Sequence, residues 1–473
     1  MDVNDCLNYC KQAWSEGGSA LEGLKALIRI PNLSPDYDPE FLTNGLIHKA
    51  VDTVKAWIES QQISGLQTHV YNDEGRQPLL RVNIPGTSPE APPILCYGHL
   101  DKMPHLDPAR WSEGLSATNP VVRNGKLYGR GTNDDGYNSF LLLTAIKYLQ
   151  EHNLKYPKVT ILLETGEESG DVEIKRYLDE LHESIGECST ICVLDAEAQD
   201  YKTVWCCVSL RGVINGVLSV EHLATPCHSG MATGLVPSTF RIARQLISRI
   251  EDEKTGEILL KEAHVPEIPK NRIDQCYQIA AHIGDACHAI VSPLQGCKLV
   301  TEDNGQLLVN KAWIPGLAVT GCDGIPSIQN GSNVMRPKTA LKLSLRIPPG
   351  VDAEKTAQAL KETLEKDPPY GAKVSYTPVA AGNGWWGRDF DEKTDAALKK
   401  ATKEVFGQDP LYYGEGGSIP LCNKFNELWP KAQIFVTGCA GVDSNPHGFD
   451  ESLDIPYTTK FTALVAALFH GIA

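Results

Sequence analysis

Three short apolar runs constrain this chain more than any other feature: residues 93–99 (PILCYGH), 158–164 (KVTILLE) and 190–195 (TICVLD), each ending in side chains that carry chemistry. The second and third follow helix-like stretches at 137–151 and 171–185, the rhythm of a sheet covered by helices on both faces. In open α/β sheets ligands bind beyond the carboxyl ends of the strands. There the chain carries His99 and Asp101, then Glu164, Glu167 and Glu168, then Asp195 and Glu197. Between the first two runs, the turn 129–136 (GRGTNDDG) delivers Asp134 and Asp135 just before a helix.

From about residue 208 the texture changes. Residues 209–221 and 339–346 alternate strictly, while 237–250 and 352–366 have helical spacing, the pattern of strands with one solvated face backed by helices. After the turn at 381–387, a helix at 391–406, a strand at 432–438 and a helix at 456–470 resume the α/β texture. The expected organisation is an α/β domain with a doubly covered mixed sheet, residues 1–207 and 381–473, interrupted by an inserted α+β domain at 208–380. With 473 residues, 42% hydrophobic and 22% charged, each part can bury a core without staples.

The charge balance, 44 basic against 59 acidic residues for a net −15, repels phosphate backbones and anionic lipid, so neither nucleic acid nor a membrane is expected as a partner. The first 17 residues lack a basic segment followed by an apolar run, so no export signal is expected. The 14 cysteines are scattered without C-x-x-C pairs and read as reduced, buried small hydrophobes, which suits the cytoplasm.

So many carboxylates at one sheet edge raise one another's pKa values and oppose folding unless a polyvalent cation compensates them. Mixed imidazole and carboxylate donors suit zinc, and an aspartate with one oxygen on each of two ions holds them about 3.5–4 Å apart, as in co-catalytic hydrolases. Singly, each group is ordinarily structural: a strand-end histidine satisfied in place, a Glu-Glu pair at a solvated helix start. Their recurrence at one topological edge is what independent structural uses rarely produce. Other enzyme signatures are missing: His182-Glu183 opens no H-E-x-x-H, and neither G-x-S-x-G nor G-x-G-x-x-G occurs at the turns in question.

Y-G-H-L-D at 97–101, L-Y-G-R-G-T-N-D-D at 127–135, E-T-G-E-E-S-G at 164–170, H-S-G at 228–230 and E-G-G-S-I-P at 415–420 together resemble the aminoacylase/carboxypeptidase family of di-zinc metallopeptidases, metallopeptidase family 20. Length and the last motif are most similar to its carnosinase and cytosolic non-specific dipeptidase branch. The resemblance implies a zinc-peptidase catalytic domain interrupted by a lid and dimerisation domain, with two divalent ions, zinc first and manganese or cobalt as alternatives. It implies His99, Asp134, Glu168, Asp195 and His447 as metal ligands, with Asp134 bridging; which ion each terminal ligand holds stays open. Asp101 would fix the tautomer of His99, and Glu167 would be the general base.

From the inserted domain, the resemblance implies His228 reaching an active site across a dimer interface to stabilise the oxyanion. It also implies Arg346 clamping the free carboxylate, Asn333 adding a hydrogen bond, and Ser418 with Gly416 and Gly417 offering donors to the substrate chain. The implied activity is hydrolysis of an amide bond in dipeptides or short peptides with a free C-terminal carboxylate, by a homodimer. An N-acyl or N-succinyl amino acid deacylase, such as succinyl-diaminopimelate desuccinylase, is the alternative. A binding protein without turnover is disfavoured, because Glu167 and Asp134 are both present. Two departures stand out: Gly136 and Tyr137 follow the Asp-Asp pair where related dipeptidases commonly carry Lys, and residues 441–451 keep only His447 and the trailing Glu451 of the usual H-S-x-N-E.

Overall fold

The computed structural model describes residues 1–73, 75–170, 172–291, 293–417 and 420–473. They form two compact units. The first comprises Met1–Val208, Gly387–Tyr412 and Lys424–Ala473; the second comprises Ser209–Trp386 and Tyr413–Asn423. The short return of Tyr413–Asn423 to the second unit has no mark in the periodicity of the sequence.

The first unit is built on a mixed sheet in the order Gln67–Tyr71, Leu79–Ile84, Val159–Glu164, Ile94–His99, Thr190–Val193, Gln433–Val436, Trp205–Leu210. From Val159–Glu164 to Gln433–Val436 the neighbours run parallel, and antiparallel strands flank them on either side. The parallel strands are buried along their whole length, which is why they read as continuous apolar runs. Successive residues face opposite sides of a strand. Gly98 faces helix Asn138–Glu151, so closely that a Cβ there would lie 2.4 Å from Asn138 Nδ2. Tyr97 faces the other way, onto the Phe425 ring at a centroid distance of 5.8 Å.

Helix Ile455–Ile472 packs on Asn138–Glu151, Val3–Ala13 and Glu392–Phe406, with buried residues on most of its circumference. Asp454 starts it by accepting from the Tyr457 amide at 2.8 Å, with Pro456 in the first turn. A small antiparallel sheet of Val121–Arg123, Lys126–Tyr128 and Ser452–Asp454 ties the segment before this helix to the chain just ahead of the Asp134 turn.

The second unit carries an antiparallel sheet in the order Gly316–Asp323, Lys338–Ile347, Gly212–Glu221, Lys373–Gly382. Its buried residues alternate, Ile214, Leu218 and Val220 against Leu341, Leu343 and Leu345, and helices Thr239–Ile247 and Ala353–Glu365 cover that face with Ile242, Leu246, Leu360 and Leu364. Helices Lys270–Ile283 and Asn304–Trp313 pair around Cys276, Val309, Ala312 and Trp313. Neither helix stands out in the sequence. The alternating run 209–221 reads as one strand, but the structure breaks it at Arg211, into Trp205–Leu210 and Gly212–Glu221. The backbone crosses other chain too closely there: a Cβ on Gly212 would sit 2.5 Å from Gly382 O, and the Arg211 amide donates to Glu415 O at 3.2 Å.

Candidate metal centre

The strand Ile94–His99 ends with the His99 imidazole fully buried, its two nitrogens facing different acids. Nδ1 lies 3.2 Å from Asp101 O and 3.4 Å from Asp101 Oδ1, while Nε2 lies 3.1 Å from Asp134 Oδ1 and 3.8 Å from Asp195 Oδ2. The second oxygen of Asp134 is 2.9 Å from His447 Nε2, which is itself 3.2 Å from Glu168 Oε2. Ligand atoms of His99, Asp134 and Asp195 lie within 4.8 Å of one another, as do those of Asp134, Glu168 and His447 and those of His99, Glu167 and Glu168. The peptide joining Asp134 to Asp135 is cis.

Two donor sets therefore share Asp134, one oxygen to each. The other oxygen of Glu168, Oε1, is buried and makes no hydrogen bond, a donor left over for a cation. Nitrogen and carboxylate donors in sets of three, with a shared carboxylate, fit two divalent ions.

The electrostatics point the same way. Burial opposes protonation of His99, but hydrogen bonds to Asp101 and Asp134 override it and hold the imidazole well above its ordinary pKa. Hydrogen bonds to Asp134 and Glu168 push His447 up to about 10. Burial works against ionisation of Asp134, yet the two imidazoles hold its carboxyl well below the usual range. Burial raises Glu168. Protons on the two imidazoles thus do the neutralising work that cations would take over.

Asp101 does more than face His99. Its Oδ1 accepts from the Glu167 amide at 3.3 Å and its Oδ2 from the Glu168 amide at 3.1 Å, so one carboxylate orients the imidazole and the turn that carries both glutamates.

The segments bearing Asp134 and His447 are fastened by residues that sequence reasoning did not assign. Buried Glu451 accepts from the Gly131 amide at 2.9 Å, the Asn133 amide at 3.3 Å and Arg130 Nη1 at 2.7 Å. Arg130 Nη2 reaches Gly448 O at 2.8 Å, and Asn133 Nδ2 reaches Ser444 O and Ser452 O. These bonds hold a loop in which His447 has φ 60°, a left-handed conformation that costs a non-glycine residue about 1 kcal/mol or more. Tyr137, noted in the sequence only as a departure, donates its hydroxyl to Leu194 O, beside Asp195, and accepts from the Cys439 amide at 3.1 Å. Arg130 and Asn133 lie inside the motif at 127–135 and Glu451 trails His447, but the sequence assigned none of them this fastening role.

The remaining expected residues lie in the second unit. His228 is exposed, pairs in register with Val334, and accepts from the Gly230 amide through Nδ1 at 3.1 Å, which leaves Nε2 as the donor in the neutral ring. Asn333 accepts from the Ser229 amide through its backbone oxygen at 2.9 Å. Arg346 is half-buried in Lys338–Ile347, opposite Val213. Gly417 is half-buried after Gly416, and Ser418 lies outside the described residues.

An α/β unit whose strand ends gather two such donor sets belongs to the class of metal-dependent hydrolases. Residues 95–470 match Peptidase family M20/M25/M40, and the chain is a member of that family, whose dipeptidases use two zinc ions. The cysteinylglycine-S-conjugate dipeptidase of Corynebacterium striatum is 26% identical over 386 residues, 80% of this chain and 81% of the relative. The Cys-Gly metallodipeptidase of Saccharomyces cerevisiae is 25% identical over 91% of each, and the Beta-Ala-His dipeptidase of Homo sapiens 22% identical over 82% and 76%. Among solved structures, human carnosine dipeptidase 1 has the same fold at a TM-score of 0.72 with 18% identity, over 100% of this chain and 99% of that one. The Saccharomyces cerevisiae dipeptidase Dug1p matches at 0.70 with 19% identity, over 100% and 98%. Among the described residues no helix is long and apolar enough to cross a membrane.

Proposed function

We propose that this protein is a cytoplasmic, homodimeric di-zinc dipeptidase that hydrolyses the amide bond of dipeptides or short peptides with a free C-terminal carboxylate. The observation that carries the reading is Asp134, with one oxygen 3.1 Å from His99 and the other 2.9 Å from His447, in two donor sets completed by Asp195 and by Glu168. The names of the relatives favour the substrate class, since Cys-Gly and Beta-Ala-His are both dipeptides.

In this reading His99, Asp195 and Asp134 form one ligand set and Glu168, His447 and Asp134 the other. Bound divalent cations supply Lewis acidity to a carbonyl oxygen and make water acidic enough to attack near neutral pH. Glu167 takes the proton from the attacking water and delivers it to the leaving amine. Asp101 keeps the proton of His99 on Nδ1, so that Nε2 stays a donor atom for metal. His228, reaching across the dimer interface, donates a hydrogen bond from Nε2 to the oxygen that becomes anionic, Arg346 holds the substrate carboxylate, and Asn333, Gly417 and Ser418 align the chain.

The test is turnover of a dipeptide panel by the zinc-loaded protein, beside N-acetyl amino acids and N-succinyl-diaminopimelate, with Glu167→Gln as the comparison. Dipeptide turnover that falls about 10²–10⁴-fold in the variant, with both ions retained, is expected. Turnover confined to the acylated compounds would overturn the substrate, and full activity in the variant would overturn the base.

A further inference from the structure

We propose that Ser34 is a positioning residue for the general base, acting through Ser169 at the end of the turn that carries Glu167 and Glu168. This rests on the reading in which Glu167 takes the proton from the attacking water. Ser34 lies ahead of residues 95–470, the part of the chain that matches the family.

The turn Glu167–Ser169 has little stiffness of its own. It is a single short turn with Gly166 before it and Gly170, at φ 96°, after it, so its position is set from outside. Asp101 grips its start, accepting from the Glu167 amide at 3.3 Å and the Glu168 amide at 3.1 Å. Ser34 grips its end: the hydroxyl oxygens of Ser34 and Ser169 lie 2.6 Å apart, and Ser169 Oγ also accepts from the Asp36 amide at 2.9 Å.

Ser34 forgoes a local bond to do this. It precedes the short turn Pro35–Tyr37, with the extended backbone that a following proline favours, and a serine at such a position ordinarily bonds the free amides of its own turn. The Ser34 side chain makes no such bond, and Ser169 takes the Asp36 amide instead. The two turns thereby satisfy each other across 135 residues of chain.

The far ends of the two grips are also joined. The Ser34 amide donates to Lys102 O at 2.9 Å, and Asn32 Nδ2 donates to Leu100 O at 2.8 Å, so both neighbours of Asp101 are held by the same segment. The buried Lys102 ammonium binds back, donating to Leu27 O at 2.8 Å and Ile30 O at 2.7 Å, where helix Ser19–Ile28 ends. Ser34, Lys102, Asp101, the glutamate turn and Ser169 thus close a ring of bonds, and Asp101 extends it to His99. A base works only within hydrogen-bond reach of the proton it takes, and a displacement of about 1 Å can cost roughly a hundredfold in rate.

The experiment compares wild type, Ser34→Ala, Glu167→Gln and the double variant, all zinc-loaded, on one dipeptide that wild type cleaves, with zinc content measured in each. Ser34→Ala is expected to lower kcat roughly ten- to a hundredfold, to change KM by less than about twofold, and to retain both ions. In the Glu167→Gln background the same substitution is expected to cost nothing further, because the group it positions is gone. An unchanged kcat, loss of either ion, or an equal fold loss in both backgrounds overturns the proposal while leaving the base reading intact. Full activity in Glu167→Gln alone overturns the base reading itself. Should Ser34→Ala not fold, Ser169→Ala, at a half-buried position, takes its place in the same comparison, with the same pattern expected and the same outcomes overturning the proposal.

Discussion

Each oxygen of Asp134 faces a different imidazole, His99 at 3.1 Å and His447 at 2.9 Å, so Asp134→Ala is expected to lose both cations, whereas Asp195→Ala or Glu168→Ala is expected to lose one. Metal content after gel filtration, at two, one or none per chain, checks this. His447 carries a pH prediction as well. Its folded pKa is raised to about 10, above the ordinary 6.5, so in the metal-free protein its contribution to stability is fully present below about pH 6.5 and lost as pH rises through about 10. A ligand imidazole must be neutral, so loading at pH 7 expels that proton, and zinc affinity rises with pH. Calorimetric titration of zinc in two buffers of different ionisation enthalpy reads the released protons directly; no release would exclude His447 as a ligand.

At the scale of elements, the site is a meeting of strand ends and loops, and its precision depends on how the loops are tied. The Arg130–Glu451 pair is buried and bonded to three further backbone groups of the two segments it joins. Removing one partner of a buried ion pair costs roughly 3–5 kcal/mol, so Glu451→Ala is expected to lower the free energy of unfolding by about that amount and to weaken zinc most at the set containing His447. Two-site zinc titration against a chelator separates that from uniform destabilisation. Tyr137→Phe removes one donor and one acceptor without changing shape, for a loss of roughly 1–3 kcal/mol. The strands of this region were legible because their burial imposes its own pattern on the residues. The tie between the loops was not, because Arg130, Asn133 and Glu451 sit in segments without period and act on partners far along the chain.

For the molecule as a whole, every proposed metal ligand belongs to the first unit, and the proposed carboxylate-binding and oxyanion groups belong to the second. A core change in the second unit is therefore expected to leave metal stoichiometry alone. Leu343→Ala, at a fully buried position of that sheet, is expected to cost roughly 2–5 kcal/mol in denaturant unfolding while the protein still binds two zinc ions. Loss of zinc in that variant would mean that the ligand sets depend on the second unit. The alternation at 339–346 announced this sheet, but helices Lys270–Ile283 and Asn304–Trp313 went unannounced because they pack mainly on each other through few buried positions.

The sequence by itself determined the class of fold and the ligand types at the strand ends, since a strand buried on both faces must be apolar along its length and can turn polar only where it leaves the sheet. His99, Asp101, Glu167, Glu168 and Asp195 fall at such exits, and Asp134 in the turn that precedes helix Asn138–Glu151. Only the tertiary structure decided that Asp134 divides its two oxygens between His99 and His447, that Asp101 serves the histidine and the glutamate turn together, and that the strand breaks at Arg211, whose amide donates to Glu415 O. Periodicity records how one element is buried. Contacts between loops distant in sequence follow from hydrogen bonds formed only after those elements have packed, and such bonds leave no repeat in the chain.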